Sequence, residues 1–229
     1  MINGTLTDNA EKDVLAPYRA VLASKKVDLA CKYVFDKVMA IFLIILFSPI
    51  LLVFAIWIAL DSPGAVFYRQ ERITQYGRKF KIYKFRTMVA DADKKGSLVT
   101  IGNDSRITRV GAVIRKYRLD EIPQLFNVLA GDMSFVGVRP EVEKYTKEYT
   151  DEMKATLLLP AGITSPASIA YKDEDMLMET YIGRGMTADE AYVEKVLPDK
   201  MTYNLEYIRS FSFWNDIRIM LQTVIKVVK

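Results

Sequence analysis

The chain has 229 residues, of which 51% are hydrophobic and 26% charged, and its formal net charge is +4. It contains no histidine and a single cysteine, Cys31, which excludes serine–histidine and cysteine–histidine nucleophile systems, most zinc sites and any intrachain disulfide. The length allows one large domain with an appendage, and the weak positive charge indicates no nucleic-acid partner but suits an anionic lipid surface or a phosphate-bearing substrate.

The N-terminal part combines a polar lead-in with an apolar segment. Residues 1–24 are predicted as a short helix or a loose tail. Val38–Leu60 then forms an uncharged stretch of 23 residues, longer than the roughly 18 residues that indicate a membrane helix. Ser48 and Pro49 lie at its centre, where proline removes a helical hydrogen bond, and both flanks are basic, so the positive-inside rule assigns no orientation. Two alternatives follow: a kinked spanning helix, or a re-entrant helix-break-helix over residues 25–61.

Residues 62–229 are predicted as one compact domain, so that the whole chain is α+β and mainly α. Short alternating stretches indicate strands, and three- to four-residue apolar spacing indicates helices. The predicted elements are strands Ala65–Tyr68 and Phe80–Phe85, joined across Gly77, helices Ile107–Tyr117 and Leu119–Leu129, the second stopped by Gly131, and a helix that Thr187 caps and Pro198 ends.

The C-terminal stretch predicts an amphipathic helix with a mostly cationic polar face. Such a helix either lies in a membrane interface or packs on the protein core, and the pattern alone allows both. Its apolar stripe is Trp214, Ile217, Leu221, Val224, Ile225 and Val228, and its polar stripe is Asn215, Arg218, Gln222, Lys226 and Lys229.

Two adjacent carboxylates, Asp120 and Glu121, lie in an otherwise largely apolar stretch of the sequence. Neighbours on a helix diverge by roughly 100°, so the two side chains share a direction only if the backbone turns there. A helix N-cap near Asp120, with Pro123 in the first turn, would place both acids at the positive end of the helix dipole. Such a site suits a carboxylate nucleophile, a divalent cation or both; the alternative is an ordinary cap followed by a first-turn acid.

Arginines surround this acid pair in the sequence, and Arg115, Arg118 and Arg139 are the ones predicted to face it. The guanidinium fork matches phosphate oxygens in a bidentate manner. Carboxylates among arginines, in a chain without histidine, therefore favour phosphoryl chemistry assisted by Mg²⁺.

The motifs of the chain resemble those of the bacterial sugar transferase family, in particular its small monotopic phosphoglycosyl transferases. The resemblance covers about residues 30–229, and the central pattern D-E-x-P-Q-L-x-N-V-L-x-G-D-M-S-x-V-G-x-R-P-E is hard to obtain by chance. The stretches that carry it are Tyr68–Arg72, Phe80–Met88, Leu119–Glu141 and Ser212–Lys229.

The resemblance implies transfer of a sugar 1-phosphate from a UDP-sugar to undecaprenyl phosphate, with release of UMP, as the first membrane step of glycoconjugate or exopolysaccharide biosynthesis. It implies Asp120 as the nucleophile that forms a phosphosugar–enzyme intermediate, and Glu121 as either a Mg²⁺ ligand with Asp120 or a base for the acceptor phosphate. It also implies a re-entrant break at Ser48 and Pro49, and a catalytic domain on the cytosolic face of the bacterial inner membrane in contact with membrane lipids. The predicted phosphate-binding residues are Lys84, Arg86, Arg115, Arg118 and Arg139.

The chain also departs from the family pattern. The stretch Pro160–Ile169 lacks the tryptophan and Asn-Gly-Arg that many members carry after Pro-Gly-Ile-Thr, and Asn204 stands where an aspartate is common, which leaves the sugar open. Whether the chain forms a homodimer is open as well.

Two rival functions remain. One is a carboxylate-pair hydrolase, which adjacent acids fit poorly because such pairs flank a bond at roughly 5–10 Å. The other is a non-enzymatic membrane-surface adaptor, which would not explain paired acids among arginines.

Overall fold

The computed structural model of the chain describes residues 13–90, 92 and 104–228. Within these residues the chain forms ten α-helices and four short β-strands, so the predicted mainly helical α+β class is confirmed. The elements are α1 (Ala16–Ser24), α2 (Lys26–Asp61), β1 (Phe67–Ile73), β2 (Lys79–Phe85), α3 (Arg109–Lys116), α4 (Gln124–Ala130), β3 (Met133–Val136), α5 (Glu143–Thr146), β4 (Ala161–Thr164), α6 (Pro166–Ala170), α7 (Glu174–Gly183), α8 (Ala188–Ala191), α9 (Leu197–Arg209) and α10 (Phe213–Val228).

Helix α2 carries the uncharged stretch and passes through Ser48 and Pro49 without leaving helical structure. The break predicted at Ser48 and Pro49 therefore does not interrupt the helical structure, and the re-entrant path of α2 stays a prediction. Pro49 lacks the N–H that would donate to the carbonyl of Ile45, and the Ser48 hydroxyl donates to that carbonyl at 2.8 Å instead. This replacement satisfies the carbonyl in an apolar setting, which lets the helix continue across the proline.

Both halves of α2 pack against the same domain. Ala40, before the proline, is buried in a cluster with Phe80 and Val128. Ile58, after the proline, is buried in a second cluster with Phe85. In the part of the chain that the structure describes, α2 is the one helix long and apolar enough to cross a membrane. In its most apolar 18-residue stretch, only 6% of the residues are buried against the rest of the protein. The helix thus has two anchored ends and a largely uncovered apolar middle.

Strands β1 and β2 form an antiparallel hairpin in which Tyr68 lies opposite Lys84. The second predicted strand is confirmed within one residue, whereas the first begins two residues later than predicted and continues to Ile73. The predicted turn at Gly77 is confirmed: Gly77 has φ 75° and Tyr76 has φ 57°, both in the left-handed region, which glycine adopts without strain.

Of the two helices predicted in the centre of the chain, the first is confirmed and the second is divided. The helix over Ile107–Tyr117 is confirmed as α3, which begins with a hydrogen bond to the Thr108 side chain. The helix over Leu119–Leu129 is divided into a 3₁₀ turn, Leu119–Glu121, and helix α4. The predicted stop is confirmed, because Gly131 takes a left-handed conformation with φ 87° and ends α4.

Asn127 shows that part of the central sequence motif builds the fold. Its side-chain oxygen accepts from the Tyr83 backbone N–H at 2.8 Å, and its amide donates to the Lys81 carbonyl at 2.9 Å. These bonds replace the strand that β2 lacks on its second edge, since its one strand partner among the described residues is β1. Helix α4 is thereby held against the hairpin.

A second, parallel sheet joins β3 to β4 and was not predicted from the sequence. The two strands are short and far apart in the chain, so neither has a long enough alternating pattern to be recognised. The backbone of β4 lies very close to the residue that follows β3: a Cβ on Gly162 would lie 2.1 Å from the backbone nitrogen of Gly137. Glycine is required there because any side chain would separate the two segments.

The N-terminal helix α1 belongs to the domain core. It supports the short-helix alternative for the lead-in, with Tyr18 and Leu22 buried in a cluster that contains Val136 and Tyr207. Residues 1–12 lie outside the described residues, and the domain boundaries drawn at residues 24 and 61 stay predictions.

The capping box predicted at Thr187 is confirmed at the start of α8, with Glu190 completing it. The predicted end at Pro198 is wrong. A π-helical turn, Tyr192–Val196, leads into α9, and Pro198 occupies the first turn of that helix. Proline is tolerated there because a first-turn residue has no helical acceptor for an N–H.

Helix α10 combines the two alternatives left open for the C-terminal stretch. One face packs on the core, where Asp216 and Ile219 are buried. The predicted apolar stripe points away from the core, since Trp214 is 76% exposed and Leu221 is 61% exposed. A helix packed on one side and apolar on the other has the surface that an interfacial position requires.

A buried ion pair joins the start of α2 to the C-terminal helix. Lys32 Nζ donates to Asp216 Oδ2 at 2.6 Å and to the Val136 carbonyl at 2.7 Å, while the Tyr207 hydroxyl donates to Asp216 Oδ1 at 2.8 Å. The side chains of Lys32 and Asp216 are 6% and 3% exposed. Helices α2, α9 and α10 and strand β3 therefore meet at one buried, hydrogen-bonded charge pair.

We expect Lys32→Met to destabilise the protein by about 3–5 kcal/mol, because it leaves the Asp216 carboxylate buried without its cation. Denaturant unfolding of the detergent-solubilised protein measures the loss. Lys26→Met is the matched control, since Lys26 is exposed on the same helix and should change stability by less than about 0.5 kcal/mol. Equal effects of the two substitutions would contradict the role given to the ion pair.

Candidate functional site

A cavity of about 730 Å³ opens between the β1–β2 hairpin, the turn that carries the acid pair and the segment around α6 and α7. Its lining is strongly cationic: eleven lysine or arginine residues face four acidic ones. The volume lies in the range of pockets that hold small molecules, and the charge suits a ligand with several phosphate oxygens.

A sharp backbone turn presents the two adjacent acids to this cavity. Arg118 takes a left-handed conformation with φ 54°, and the 3₁₀ turn Leu119–Glu121 follows it. The predicted N-cap near Asp120 is wrong, because Pro123 precedes the first residue of α4 and Asp120 makes no capping hydrogen bond. The left-handed residue and the tight turn, rather than a helix start, bring Asp120 and Glu121 to the same cavity.

Glu121 is held by two cations. Arg139 donates to both of its carboxylate oxygens, at 2.5 Å and 3.3 Å, and Lys84 Nζ donates at 2.8 Å. Its side chain is 15% exposed. Burial opposes ionisation of this carboxyl, but the charges and hydrogen bonds of Arg139 and Lys84 outweigh it and hold the pKa of Glu121 well below its usual range. Glu121 is therefore an ionised, oriented group and a weak base.

Asp120 differs from its neighbour because no hydrogen bond or ion pair to its carboxylate occurs among the described residues. Burial raises the pKa of Asp120; Lys84, Arg115 and Arg139 act against this increase, and the Glu121 charge adds to it. The result is a carboxylate with both oxygens available, in a cationic environment that does not occupy them. Of the two acids, Asp120 is the one suited to attack an electrophile.

The predicted arginines have different positions around this carboxylate. Arg115 lines the cavity, and its side chain makes no hydrogen bond within the part of the chain that the structure describes. Arg118 also lines the cavity and donates to the Lys172 carbonyl at 3.4 Å. Arg139 is committed to Glu121, with one third of its side chain exposed. Arg115 is thus the predicted arginine most available to a phosphate.

Arg86 binds the end of helix α2, which leaves its guanidinium less available for the predicted phosphate contact. Its guanidinium donates to the carbonyls of Ile58, Ser62 and Pro63, at 3.3, 2.6 and 2.9 Å, where helix α2 ends. The residue is 8% exposed. Cations at a helix C-terminus satisfy carbonyls that have no helical partner. Arg86 lines the cavity, but its guanidinium is bonded to the end of α2. It therefore links that helix to the site.

A series of buried contacts behind the cavity was not predicted from the sequence. Glu141 accepts a short hydrogen bond from the Tyr192 hydroxyl, and Lys200 Nζ donates to that hydroxyl at 3.3 Å and to Glu174 at 3.0 Å. Arg72 lies 4.0 Å from the other oxygen of Glu141. Glu141 therefore anchors the segment that carries Arg139, and no local pattern connects it to residues fifty positions later.

The acid pair offers a magnesium ion part of the ligand set that it requires. No cluster of three or more acidic, cysteine or histidine side chains occurs among the described residues. Mg²⁺ commonly uses one or two carboxylates together with substrate phosphates and water, and Asp120 has free oxygens for this purpose. Glu121 would have to share its oxygens with Arg139 and Lys84. The donor set therefore fits an ion that arrives with a phosphorylated ligand.

Comparison with known proteins gives consistent matches. Residues 27–229 match the model of a family described as bacterial sugar transferase. The chain is 37% identical, over 82% of its length and 41% of the relative's, to a UDP-N-acetylgalactosamine-undecaprenyl-phosphate N-acetylgalactosaminephosphotransferase of Aeromonas hydrophila. It is 35% identical, over 83% of its length and 39% of the relative's, to a UDP-glucose:undecaprenyl-phosphate glucose-1-phosphate transferase of Escherichia coli strain K12.

A shorter relative, a putative undecaprenyl-phosphate N-acetylgalactosaminyl 1-phosphate transferase of Bacillus subtilis strain 168, is 46% identical over 55% of this chain and 70% of its own length. The chain thus spans about two fifths of the length of the Aeromonas and Escherichia relatives. The matched family region, residues 27–229, includes the cavity lining, the acid pair and almost all of helix α2.

Proposed function

Because the chain belongs to the bacterial sugar transferase family, we propose that it transfers a sugar 1-phosphate from a UDP-sugar to undecaprenyl phosphate and releases UMP. Relatives named for this transfer, with UDP-N-acetylgalactosamine or UDP-glucose as donor, support the choice of substrates. The observation that carries the proposal is the free carboxylate of Asp120 in a cavity lined by eleven cationic residues. This step would begin a glycoconjugate, either a polysaccharide or a glycoprotein.

The reaction proceeds in two displacements at one phosphorus atom. An Asp120 oxygen attacks the β-phosphorus of the donor, a P–O bond to the aspartate forms, and the P–O bond to UMP breaks. A phosphate oxygen of the acceptor lipid then attacks the same phosphorus, and Asp120 leaves as a carboxylate. An anionic nucleophile can approach a diphosphate because Lys84, Arg115 and Arg139 surround it, and they stabilise the charge that develops on the phosphoryl oxygens.

The geometry favours a positioning task for Glu121. With its pKa lowered and its oxygens bonded to Arg139 and Lys84, it orients these two cations toward the phosphates rather than removing a proton. A bound Mg²⁺ would supply further positive charge on the donor diphosphate, held through Asp120 and, after sharing, Glu121. The acceptor phosphate needs no base, because it is already ionised near neutral pH.

We also propose that α2 is re-entrant and places the domain on the cytosolic face of the inner membrane. The two ends of a spanning helix lie on opposite sides of a hydrocarbon core about 30 Å thick, so one domain cannot contact both. Here Lys37 donates to the Val128 and Leu129 carbonyls, and Arg86 binds the opposite end of the same helix. The uncovered apolar middle of α2 and the outer face of α10 are the surfaces that would meet lipid.

Asp120→Asn should abolish turnover, by at least about a thousandfold, because an amide is not a nucleophile toward phosphorus. The measurement is UMP release from UDP-N-acetylgalactosamine or UDP-glucose in the presence of undecaprenyl phosphate and Mg²⁺. Without acceptor lipid, the wild type should also carry one sugar phosphate on the Asp120 peptide, detected by mass spectrometry.

Asp132→Asn is the matched control for this substitution, since Asp132 belongs to the same motif but pairs with Arg78 outside the cavity lining. It should retain most of the activity. Turnover by folded Asp120→Asn protein would refute the nucleophile. No UMP from the wild type with any donor would favour the membrane-surface adaptor instead.

The activity should fall as the pH decreases through the raised pKa of Asp120, because only the ionised carboxylate attacks. Lys84 lowers that pKa by its charge, so Lys84→Met should move the acid limb of the kcat/KM profile to higher pH. Lys81→Met is the control, because Lys81 is exposed on the same strand and does not line the cavity. An acid limb that stays in place or moves to lower pH in Lys84→Met would contradict this electrostatic coupling.

Thiol labelling tests the re-entrant anchor. In a Cys31→Ala background, cysteines placed at Ser24 and at Ser62 should both be protected from an impermeant reagent in spheroplasts and should react after lysis. Labelling of the Ser24 position alone in intact spheroplasts is the outcome of a spanning helix, and it would overturn the proposed topology.

A further inference from the structure

One wall of the cavity is formed by the segment that leads into α7. Tyr171, Lys172, Glu174 and Asp175 all line the cavity there. The Arg118 guanidinium donates to the Lys172 carbonyl at 3.4 Å, so this segment lies directly beside the turn that carries Asp120. Glu174 follows Lys172 by two residues and is half-buried, with 29% of its side chain exposed.

Glu174 is held in this wall by Lys200. The Lys200 ammonium donates to one carboxylate oxygen of Glu174 at 3.0 Å, and its own side chain is 7% exposed. The same ammonium contacts the hydroxyl and the ring face of Tyr192, with 5.1 Å to the ring centroid. Since Tyr192 bonds Glu141, close to Arg139, Glu174 is connected to both sides of the catalytic site.

The charge distribution in the cavity separates two kinds of ligand chemistry. Phosphate oxygens accept hydrogen bonds and require the cationic residues around Asp120, whereas an acid beside the diphosphate would repel it. Sugar hydroxyls are donors and require acceptors. Apart from the Asp120–Glu121 pair, the acidic residues of the lining are Glu174 and Asp175, and the second carboxylate oxygen of Glu174 has no partner among the described residues.

We propose that Glu174 is a specificity-determining residue that accepts a hydrogen bond from a hydroxyl of the donor sugar, and that Lys200 is its positioning residue. This inference rests on the proposed transfer reaction. A half-buried carboxylate paired with a buried ammonium has one defined orientation, so it distinguishes a hydroxyl placed to meet it from one that is absent or turned away. Because UMP lacks the sugar that is transferred, its binding does not depend on Glu174.

The first experiment compares Glu174→Ala with the wild type, using UDP-N-acetylgalactosamine and UDP-glucose as donors and UMP as a product inhibitor. With the donor that the wild type uses, kcat/KM should fall about 10- to 100-fold, the effect of losing one hydrogen bond to a charged group. The inhibition constant of UMP should stay within about twofold. Glu179→Ala is the matched control, since Glu179 is exposed on the same helix outside the cavity.

The second experiment tests the positioning residue. Lys200→Met should lose donor kcat/KM as Glu174→Ala does, and the double variant should lose no more than either single variant, because both remove the same contact. Glu174→Gln keeps an acceptor oxygen and should restore part of the loss. Thermal unfolding confirms that the variants are folded.

Three outcomes would overturn the inference: unchanged kcat/KM in Glu174→Ala, equal weakening of UMP and donor, or additive losses in the double variant. Failure of the proposed function is a separate result, because it appears as absence of UMP release by the wild type with either donor.

Discussion

The ionic contact of Glu121 with Arg139 and Lys84 is the interaction on which the site depends. A buried carboxylate is stable only if cations compensate its charge, and here two cations do so through three hydrogen bonds. The consequence is that two neighbouring acids become unequal. Glu121 is ionised and committed to its partners, while Asp120 keeps both oxygens free beside the same positive charges. Adjacent carboxylates thereby divide into a bonded group and a free one, which are the orienting group and the nucleophile of the proposed reaction, without any histidine in the chain.

Helix α2 and the cavity are connected through strand β2 and Arg86. Strand β2 packs on both halves of α2 and also supplies Lys84 to the acid pair. Arg86, one residue beyond the strand, binds the carbonyls at the end of α2. A displacement of the helix in the bilayer would therefore move the hairpin that forms the cavity floor. This arrangement suits the proposed transfer, in which the acceptor phosphate would lie at the membrane surface and the donor would be dissolved in the cytosol.

Much of the site could be predicted because its chemistry is local in sequence. The acid pair, Arg115, Arg118 and Arg139 lie within one continuous stretch of sequence, residues 115–139, and all of them line the cavity. Predictions that required knowledge of neighbours were less successful. Arg86 carries the charge of a phosphate ligand, but three carbonyls occupy it. Pro49 has the chemistry of a helix break, but the hydroxyl of Ser48 compensates for the missing donor. The segment around Glu174 has no pattern that marks it as a cavity wall.

The sequence by itself determined the apolar anchor, the amphipathic C-terminal helix, the mainly helical class and the identity of the acids and arginines, because periodicity and residue chemistry are properties of short stretches. Only the tertiary structure decided which of the two acids is free, which cations are already engaged, and that both ends of α2 meet one domain. Those outcomes depend on contacts between residues tens to hundreds of positions apart, such as Lys32 with Asp216 and Glu141 with Tyr192. Such contacts leave no trace in local spacing, since the folded chain alone brings their partners within hydrogen-bonding distance.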